Sequence, residues 1–487
     1  MNKPKKYVLD HKNKPYNRFF EDISAIPRNS FDEKAVSDYL VAFAEERGLW
    51  NYRDNQWNVI VKKPASPGYE DHAPVLIQAH TDMICVKEPG STHDFTKDPL
   101  DLYIEDGCLK ARGTSLGADN GFGVAHILAI LDDKSLKHPP LEALFSVQEE
   151  NGLGGVRDLD YSHFSARRLI FTDAIFEGVQ YRSTAGAIGG DFIRKIQWET
   201  GTMPALAVTV RDTAAGHAAL NVKNDACNAI KTVVRFLYAI KEKCPIRLAD
   251  IKGGTERNNI PSHCSAVFGY APKDYAAIEE IVRQTREEAF FEYSFTDPDL
   301  KIDCGKTADV NRFLTAEQSD AALDLLYALP TGVYCRSRKY DDAVFASRNT
   351  GLIRLEGDTL VIGNMFRGAI ASQVEDMKKQ VQAIAASFDA YYNELYRYPG
   401  HIAPDVSPLA DLWAEVYREK TGKELAVVDM HGGIEAGTII NKLGGRDTVD
   451  VVGLGVLHTL IHTPEESLDL ASFDRGYGYF TAMLERL

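Results

Sequence analysis

An almost wholly apolar segment, GFGVAHILAIL at residues 121–131, places the strongest constraint on the fold of this chain. It has the length of a helix and is apolar on every face, so such a helix must be buried on all sides. Short apolar segments that read as strands lie before and after it along the chain, at residues 75–79, 141–147 and 168–171. Short apolar strands alternating with helices predict an α/β sheet that is covered on both faces.

The character of the sequence changes between about residues 189 and 397. Alternating segments such as LAVTVR at 206–211 predict half-buried strands, and DYAAIEEIVRQTREEAFFEY at 274–293 predicts a long charged helix. After a stretch rich in Pro and Gly at 398–408, the helix and strand pattern of the first part resumes. The simplest architecture is therefore one α/β domain that is interrupted by an inserted domain.

Residues 30–47 predict an amphipathic helix near the start of the chain. Apolar residues recur at helical spacing from Val36 to Phe43. Ser30 and Glu33 stand three residues apart where this helix would begin, which is the arrangement of a capping box.

Composition narrows the classes of partner and the compartment. The net charge of −15 argues against a nucleic-acid backbone or an anionic membrane as a partner. The start of the chain, MNKPKKYVLDHKNKPYN, has lysines but no apolar run, so we expect no secretory signal peptide, and no window is apolar enough for a membrane span. The seven cysteines are scattered and form no CxxC pair, which favours a reduced, cytoplasmic protein without disulfides or a thiolate zinc site.

Acidic and histidine residues follow the predicted strands or open the buried helix. In open α/β sheets, ligands bind at the edge formed by the carboxyl ends of the strands. His80 and Asp82 are two residues apart, so their side chains point to the same side of an extended chain and Asp82 can orient a ligating imidazole. The five groups are QAHTDM with His80 and Asp82, GTSLGADNGFG with Asp119, SVQEENGLGG with Glu149 and Glu150, LIFTDA with Asp173, and LIHTPEE with His462.

Oxygen and nitrogen donors without thiolate suit a pair of divalent metal ions, which could be zinc, manganese or cobalt. The adjacent carboxylates of Glu149 and Glu150 repel each other, which favours a bound cation or a proton between them. One could ligate a metal while the other acts as general base. Each group taken alone is also compatible with ordinary solvated loop residues, and their common placement is what favours a metal site.

The whole set of motifs resembles the co-catalytic zinc metallopeptidases that include aminoacylases and glutamate carboxypeptidases. It is most similar to their aminoacyl-histidine dipeptidase branch, the Xaa-His dipeptidases or bacterial carnosinases. The resemblance extends over almost the whole chain, and HDFTKDPL at 93–100 and KARGTSLGADNG at 110–121 are specific to this branch. The other motifs that carry it are QAHTDM, EENG, GGTERNNIP at 253–261, HGGIEAG at 431–437 and HTPEE.

The resemblance implies a catalytic domain of residues 1–187 and 398–487, with a mixed central sheet flanked by helices, and an inserted α+β lid domain of residues 188–397. Asp82 and Glu149 would be catalytic, the first by orienting His80 and the second as general base. The Asp119–Asn120 peptide bond would be cis. The implied metal ligands are His80 and Asp173 for one ion, Glu150 and His462 for the other, and Asp119 as the bridge between them.

The resemblance also implies four substrate-binding residues. His217 would polarise the scissile carbonyl, Asn258 would bind the substrate, Arg367 would grip its carboxylate and Glu435 would contact its amino end. The sequence departs from the branch around His217, where it reads AAGHAAL in place of GGHSGG. It also departs after Asp173, with AIFEG in place of an acidic run, and at 455–461, with GVLHTLI in place of a GPTI-like stretch. The preference among substrates is therefore left open.

These features predict a two-metal dipeptidase that hydrolyses Xaa-His dipeptides, with zinc as the expected metal and a small peptide as the partner. A tripeptide aminopeptidase or an N-acyl amino-acid deacylase on the same scaffold is the nearest alternative. A metal-binding or peptide-binding protein without catalytic activity is the alternative from another class. The length of the lid leaves open whether the chain works as a homodimer or completes its site alone.

Overall fold

The apolar segment at 121–131 lies within the helix Ala118–Asp132 of the computed structural model, which describes residues 7–340 and 343–487. Every residue from Ala118 to Leu131 is buried, as expected for a helix without a polar face. The prediction that the chain has no signal peptide used the N-terminal segment. Its first six residues, which include three lysines, lie outside the described part of the chain. None of the described helices is long and apolar enough to cross a membrane.

The chain forms two units. The first contains the described part of Met1–Ser183 together with His401–Asp429 and Ile434–Leu487, and the second contains Thr184–Gly400 and Met430–Gly433. The chain therefore passes from one unit to the other four times. The sequence predicted two passages, at 187/188 and 397/398, and gave no sign of the short return at 430–433.

A six-stranded mixed sheet forms the centre of the first unit. Four neighbouring strands are parallel and two antiparallel strands complete one side, which confirms the predicted mixed central sheet. The strands Val75–His80 and Leu141–Ser146 are buried along their whole length, and one face of each, with residues such as Ile77 and Phe145, shares a core with helix residues such as Phe122. In spatial order the strands are Trp50–Arg53, Val59–Lys63, Leu141–Ser146, Val75–His80, Arg168–Ala174 and Asp450–Gly455.

The remaining elements of the first unit are helices and short strands. Its helices are Pro15–Ser24, Lys34–Glu46, Ala118–Asp132, Pro408–Thr421, Glu435–Lys442 and Leu470–Leu484. A four-stranded sheet consists of His458–Thr459, Ser467–Asp469, Cys108–Ala111 and Leu102–Glu105. A three-stranded sheet consists of His401–Ile402, Val179–Thr184 and Ala426–Met430.

A nine-stranded antiparallel sheet forms the second unit, which agrees with the predicted α+β character of the insertion. Its strands in spatial order are Lys301–Leu314, Trp198–Arg211, Cys264–Tyr270, Ile246–Gly253, Ala343–Glu356, Thr359–Gly368, Gly186–Lys195 and Ala390–Tyr398, with Gly332–Ser337 also paired to Ala343–Glu356. Its helices are Ala218–Asn221, Ala229–Lys241, Tyr275–Glu292, Ala316–Ala328 and Ala371–Ala386. Strand residues such as Leu248 and Phe268 share one core with helix residues such as Val233. Gly216–His217 and Asn259–Ile260 form a separate two-stranded ribbon.

The predicted capping box is wrong. The helix Lys34–Glu46 has no side-chain hydrogen bond at its start. Ser30 Oγ instead donates to Asp82 Oδ2 at 2.7 Å, and Glu33 Oε1 accepts from the Gln148 backbone amide at 2.9 Å. Both side chains are buried beside loops that follow the central strands, so tertiary partners replace the local ones that the spacing indicated.

Gly123 allows the buried helix to approach the central sheet. A Cβ atom at this position would lie 1.9 Å from Thr172 Oγ1 and 2.1 Å from Asn120 Oδ1. We expect Gly123→Ala to lower the free energy of unfolding by about 1–3 kcal/mol because the helix must move away from the strand. Urea unfolding followed by circular dichroism measures the effect.

Gly478→Ala is the matched control, because Gly478 also lies inside a helix and a Cβ atom there meets nothing within 4 Å. This control should be neutral or more stable by up to about 1 kcal/mol. Equal stability of the two variants would contradict the close approach at Gly123.

Candidate metal centre

The first unit brings together all seven predicted metal-binding and catalytic residues at the carboxyl edge of its parallel strands. His80 is the last residue of one central strand, and Asp173 lies near the end of its neighbour. Asp119 lies in the first turn of the buried helix. Glu149 and Glu150 follow the strand Leu141–Ser146, and His462 lies in a loop between two short strands.

Asp119 lies between the two histidines. Its Oδ1 atom is 3.1 Å from His80 Nε2, and its Oδ2 atom is 3.8 Å from His462 Nε2. Glu150 Oε1 is 2.9 Å from the same nitrogen of His462. The Asp119–Asn120 peptide bond is cis, as the family resemblance implied.

Two sets of donor atoms share Asp119. One ligand atom each from His80, Asp119 and Asp173 lie within 4.8 Å of one another, and the same holds for Asp119, Glu150 and His462. Atoms of His80, Glu149 and Glu150 form a third group of this kind. Each group has the donor types and the spacing to hold a metal ion.

The electrostatics of the cluster fit divalent cations. Burial, reinforced by Asp173, raises the pKa of Glu149 well above its usual value, and burial reinforced by Asp119 does the same for Asp173. Burial opposes the charged form of His462, but Glu150 and Asp119 raise its pKa to about 9. The cluster therefore has an excess of buried negative charge, which either protons or bound cations can neutralise. Carboxylate oxygens and imidazole nitrogens are suitable ligands for such cations.

Asp82 connects one histidine to the two adjacent glutamates. Its Oδ1 atom lies 3.4 Å from His80 Nδ1 and accepts from the Glu149 amide at 3.1 Å. Its Oδ2 atom accepts from the Glu150 amide at 3.2 Å. Burial alone would raise the pKa of Asp82, but hydrogen bonds with His80 and Ser30 bring it below its usual value. The ionised carboxylate thus fixes an imidazole and the backbone of the neighbouring loop.

Glu435 is buried in the first unit, at the start of the helix Glu435–Lys442. Its Oε2 atom accepts from Gln78 Nε2 at 2.7 Å and from Ser146 Oγ. Its Oε1 atom is also buried and has no hydrogen-bond partner among the described residues. Burial raises the pKa of Glu435 to about 8.

The second unit contains the other three predicted substrate-binding residues. Arg367 is buried, and its guanidinium donates to Tyr398 Oη at 3.1 Å and to His217 Nε2 at 3.5 Å. Asn258 lies on the chain that pairs with the His217 strand, and its carbonyl accepts from the Ala218 amide at 2.8 Å. The second unit thus brings His217 and Arg367 into contact and places Asn258 directly before the ribbon strand that pairs with His217.

Two buried charged residues beside this site, Arg28 and Glu466, had no role predicted from the sequence. Arg28 donates to backbone carbonyls, and Glu466 accepts from backbone amides of the loop that leads to Asp119. Glu466 belongs to the HTPEE motif, but the spacing does not distinguish it from Glu465, which is exposed. The sequence feature that could have pointed to Glu466 is its position in the motif that also contains the predicted ligand His462.

Residues 76–486 match the profile of Peptidase family M20/M25/M40. The sequence is 31% identical over 472 residues to the cytosol non-specific dipeptidase of Escherichia coli, covering 96% of each chain. The structure is similar to the aminoacylhistidine dipeptidase of Vibrio alginolyticus, with a TM-score of 0.86, 28% identity and coverage of 97% of this chain and 96% of the other. A tripeptidase from Staphylococcus aureus shares the fold, with a TM-score of 0.55, 14% identity and 99% coverage of both chains.

The raised pKa values predict how stability depends on pH without metal. Glu149, Asp173 and His462 hold protons more tightly in the folded protein than in the unfolded chain, so folding takes up protons. The stability that protonated His462 contributes is complete below the unfolded value of about 6.5 and is lost as the pH rises through about 9. We therefore expect the chelator-treated protein to have a lower Tm at pH 9 than at pH 6.

Differential scanning fluorimetry at the two pH values, with chelator and with saturating zinc or manganese, tests this expectation. The cation should raise the Tm more at pH 9 than at pH 6, because it replaces protons that the cluster has lost. Asp173→Asn should reduce the pH dependence of the chelated protein. A chelated protein that is equally stable at pH 6 and pH 9 would contradict the excess of buried negative charge.

Proposed function

The chain belongs to peptidase family M20/M25/M40, and we propose that it is a two-metal dipeptidase whose preferred substrates are Xaa-His dipeptides. The observation that carries the proposal is the pair of donor sets that share Asp119. The names of the two most informative relatives, a non-specific dipeptidase and an aminoacylhistidine dipeptidase, support dipeptide hydrolysis. The two names differ in the range of dipeptides that they imply, so the proposed preference for histidine needs a direct test.

The residues of the cluster divide between two cations. His80, Asp119 and Asp173 would hold one, and Asp119, Glu150 and His462 would hold the other. When bound, two divalent ions polarise the scissile carbonyl and lower the pKa of a water molecule toward neutrality. The oxygen and nitrogen donors suit zinc first, with manganese or cobalt as alternatives.

Glu149 is the proton carrier of this reaction. It stands outside the two sets that share Asp119, and burial raises its pKa well above that of an ordinary glutamate, which makes its carboxylate a stronger base. Its carboxylate accepts the proton of the attacking water and then delivers this proton to the nitrogen of the leaving amino acid. Asp82 holds the Glu149 amide and the His80 imidazole in place during these steps.

The second unit supplies the groups that recognise the substrate. Residues 188–397 would act as a lid over the catalytic domain of residues 1–187 and 398–487. His217 would stabilise the developing oxyanion, Arg367 would bind the carboxylate of the dipeptide, and Asn258 would bind its backbone.

We also propose a cytoplasmic location, in line with the name of the Escherichia coli relative and with the seven free cysteines. Analytical ultracentrifugation would decide between a monomer and a homodimer. Small peptides are the expected partners, rather than nucleic acid or membranes.

A substrate panel tests the proposed reaction and its alternatives. The panel contains β-alanyl-histidine, dipeptides with and without histidine, a tripeptide and an N-acetyl amino acid, each assayed after loading with zinc or manganese. We expect dipeptides to be hydrolysed fastest and those with a C-terminal histidine to have the highest kcat/KM. Faster hydrolysis of the tripeptide or of the N-acetyl amino acid would replace the dipeptidase proposal by an aminopeptidase or a deacylase. No hydrolysis by a metal-loaded protein would indicate a binding protein.

Glu149→Gln tests the general base. The amide cannot carry the proton, so kcat should fall by about 10²–10⁴-fold while the metal content measured by mass spectrometry stays at the wild-type value. Glu105→Gln, at an exposed glutamate that belongs to none of the groups of possible metal ligands, is the control and should keep wild-type kcat. A Glu149→Gln enzyme with normal kcat would overturn this role.

Glu435→Gln tests recognition of the amino end of the substrate. The amide keeps an oxygen that accepts from Gln78 and Ser146, but it replaces the second carboxylate oxygen, for which the described residues offer no hydrogen-bond partner. The loss of a charge-assisted hydrogen bond of about 1.5–3 kcal/mol should raise the KM for a dipeptide by about 10–150-fold. The Ki of the corresponding N-acetyl dipeptide should change little, because its amino end carries no charge. An equal change in both constants would place Glu435 outside the contact with the amino group.

A further inference from the structure

The loop that leads to Asp119 is held on one side by a buried carboxylate. Glu466 is only 2% exposed, and both of its oxygens accept hydrogen bonds from consecutive backbone amides. Oε2 accepts from Leu116 at 2.8 Å and Gly117 at 2.9 Å, and Oε1 accepts from Ala118 at 2.9 Å and Asp119 at 3.4 Å. The negative charge is favourable there because these amides precede or open the buried helix.

The same loop is held on the other side by a buried guanidinium. Arg28 is 1% exposed and donates through Nη2 to the Gly117 carbonyl at 2.6 Å. Its Nη1 atom donates to the carbonyls of Thr81 at 3.0 Å and Asp82 at 3.3 Å. Arg28 therefore ties the Asp119 loop to the loop that follows His80.

Gly117 is the residue at which the two charges meet. Its amide donates to Glu466, and its carbonyl accepts from Arg28. Its φ of 65° lies in the left-handed region, and a Cβ atom there would lie 2.4 Å from Arg28 Nη2 and 2.6 Å from Met83 Sδ. Glycine is therefore required at this point for the guanidinium to reach the backbone.

Arg28 and Glu466 hold the same loop from two sides. A buried charge is costly unless it is hydrogen-bonded, and each of these two charges satisfies several backbone groups beside Asp119. Since one acts through carbonyls and the other through amides of this loop, removal of either releases part of the chain that leads to Asp119.

We propose that Arg28 and Glu466 are positioning residues that jointly set the affinity of both cation sites by fixing the loop 116–119. Asp119 belongs to both donor sets, so a displacement of this loop weakens both sites at once. The inference rests on the proposed function for the presence of cations, but it concerns residues that lie behind the ligands rather than among them.

Glu466→Gln is the first test, because it preserves the shape of the side chain and replaces one acceptor by a donor that faces amide N–H groups. Competition with a chromophoric chelator should show that both cations bind about 10–100-fold more weakly than to the wild type. Glu465→Gln, at the exposed neighbouring glutamate, is the matched control and should bind both cations with wild-type affinity. An excess of manganese or zinc should restore kcat of Glu466→Gln to within a few-fold of wild type, which damage to the fold would not allow.

Arg28→Lys and Arg28→Met provide a second, independent comparison. Lysine keeps the charge but cannot bridge all three carbonyls, so cation affinity should fall in the order wild type, Lys, Met. In the double variant Arg28→Met, Glu466→Gln, the loss should be smaller than the product of the two single losses, because the first substitution already releases the loop that the second would release.

The possible results distinguish failure of the proposed function from failure of the positioning roles of Arg28 and Glu466. A wild-type protein that binds no divalent cation would refute the proposed function. A wild type that binds two cations and hydrolyses dipeptides, together with Glu466→Gln and Arg28→Met variants of unchanged cation affinity, would refute only the positioning roles. A variant that fails to fold, as judged by circular dichroism with metal in excess, would also count against a role confined to positioning.

Discussion

The contact of one carboxylate with two histidines is the constraint on which the rest of this structure depends. The two oxygens of Asp119 face His80 on one side and His462 on the other. To bring these residues together, the fold must place a helix start, the ends of three parallel strands and a distant loop at one edge of a sheet. The apolar helix Ala118–Asp132 and the fully buried strands provide the rigid support for that edge.

The acidic residues at this edge repel one another, and their surroundings shift their pKa values in different directions. Hydrogen bonds lower the pKa of Asp82, whereas burial and the neighbouring carboxylates raise the pKa values of Glu149 and Asp173, so that protons or a cation are favoured there. Folding and cation binding are therefore linked, because the same charges oppose the first and drive the second. Two divalent ions would also offset about four units of the net charge of −15. Part of the net negative charge therefore belongs to carboxylates around the cation sites.

The features of this structure that depend on residues close together in the sequence were predictable. The helix at 121–131 and the central strands follow from the apolar pattern. The convergence of His80, Asp119, Glu150, Asp173 and His462 was predicted from their places after strand segments or at the start of the buried helix. The parts that depend on partners distant in sequence were not predictable. Ser30 bonds Asp82 rather than capping its own helix, and Glu466 reaches amides about 350 residues away. The return of residues 430–433 to the second unit was not predictable either, since it consists of only four residues at the end of the strand Ala426–Met430.

Anomalous diffraction from crystals of the zinc- or manganese-loaded protein tests the central claim, the sharing of Asp119 between two cations, most directly. The account predicts two anomalous peaks about 3.5–4 Å apart, one beside His80 and Asp173 and the other beside Glu150 and His462, with one Asp119 oxygen directed at each. A single peak, or two peaks of which only one contacts Asp119, would contradict it.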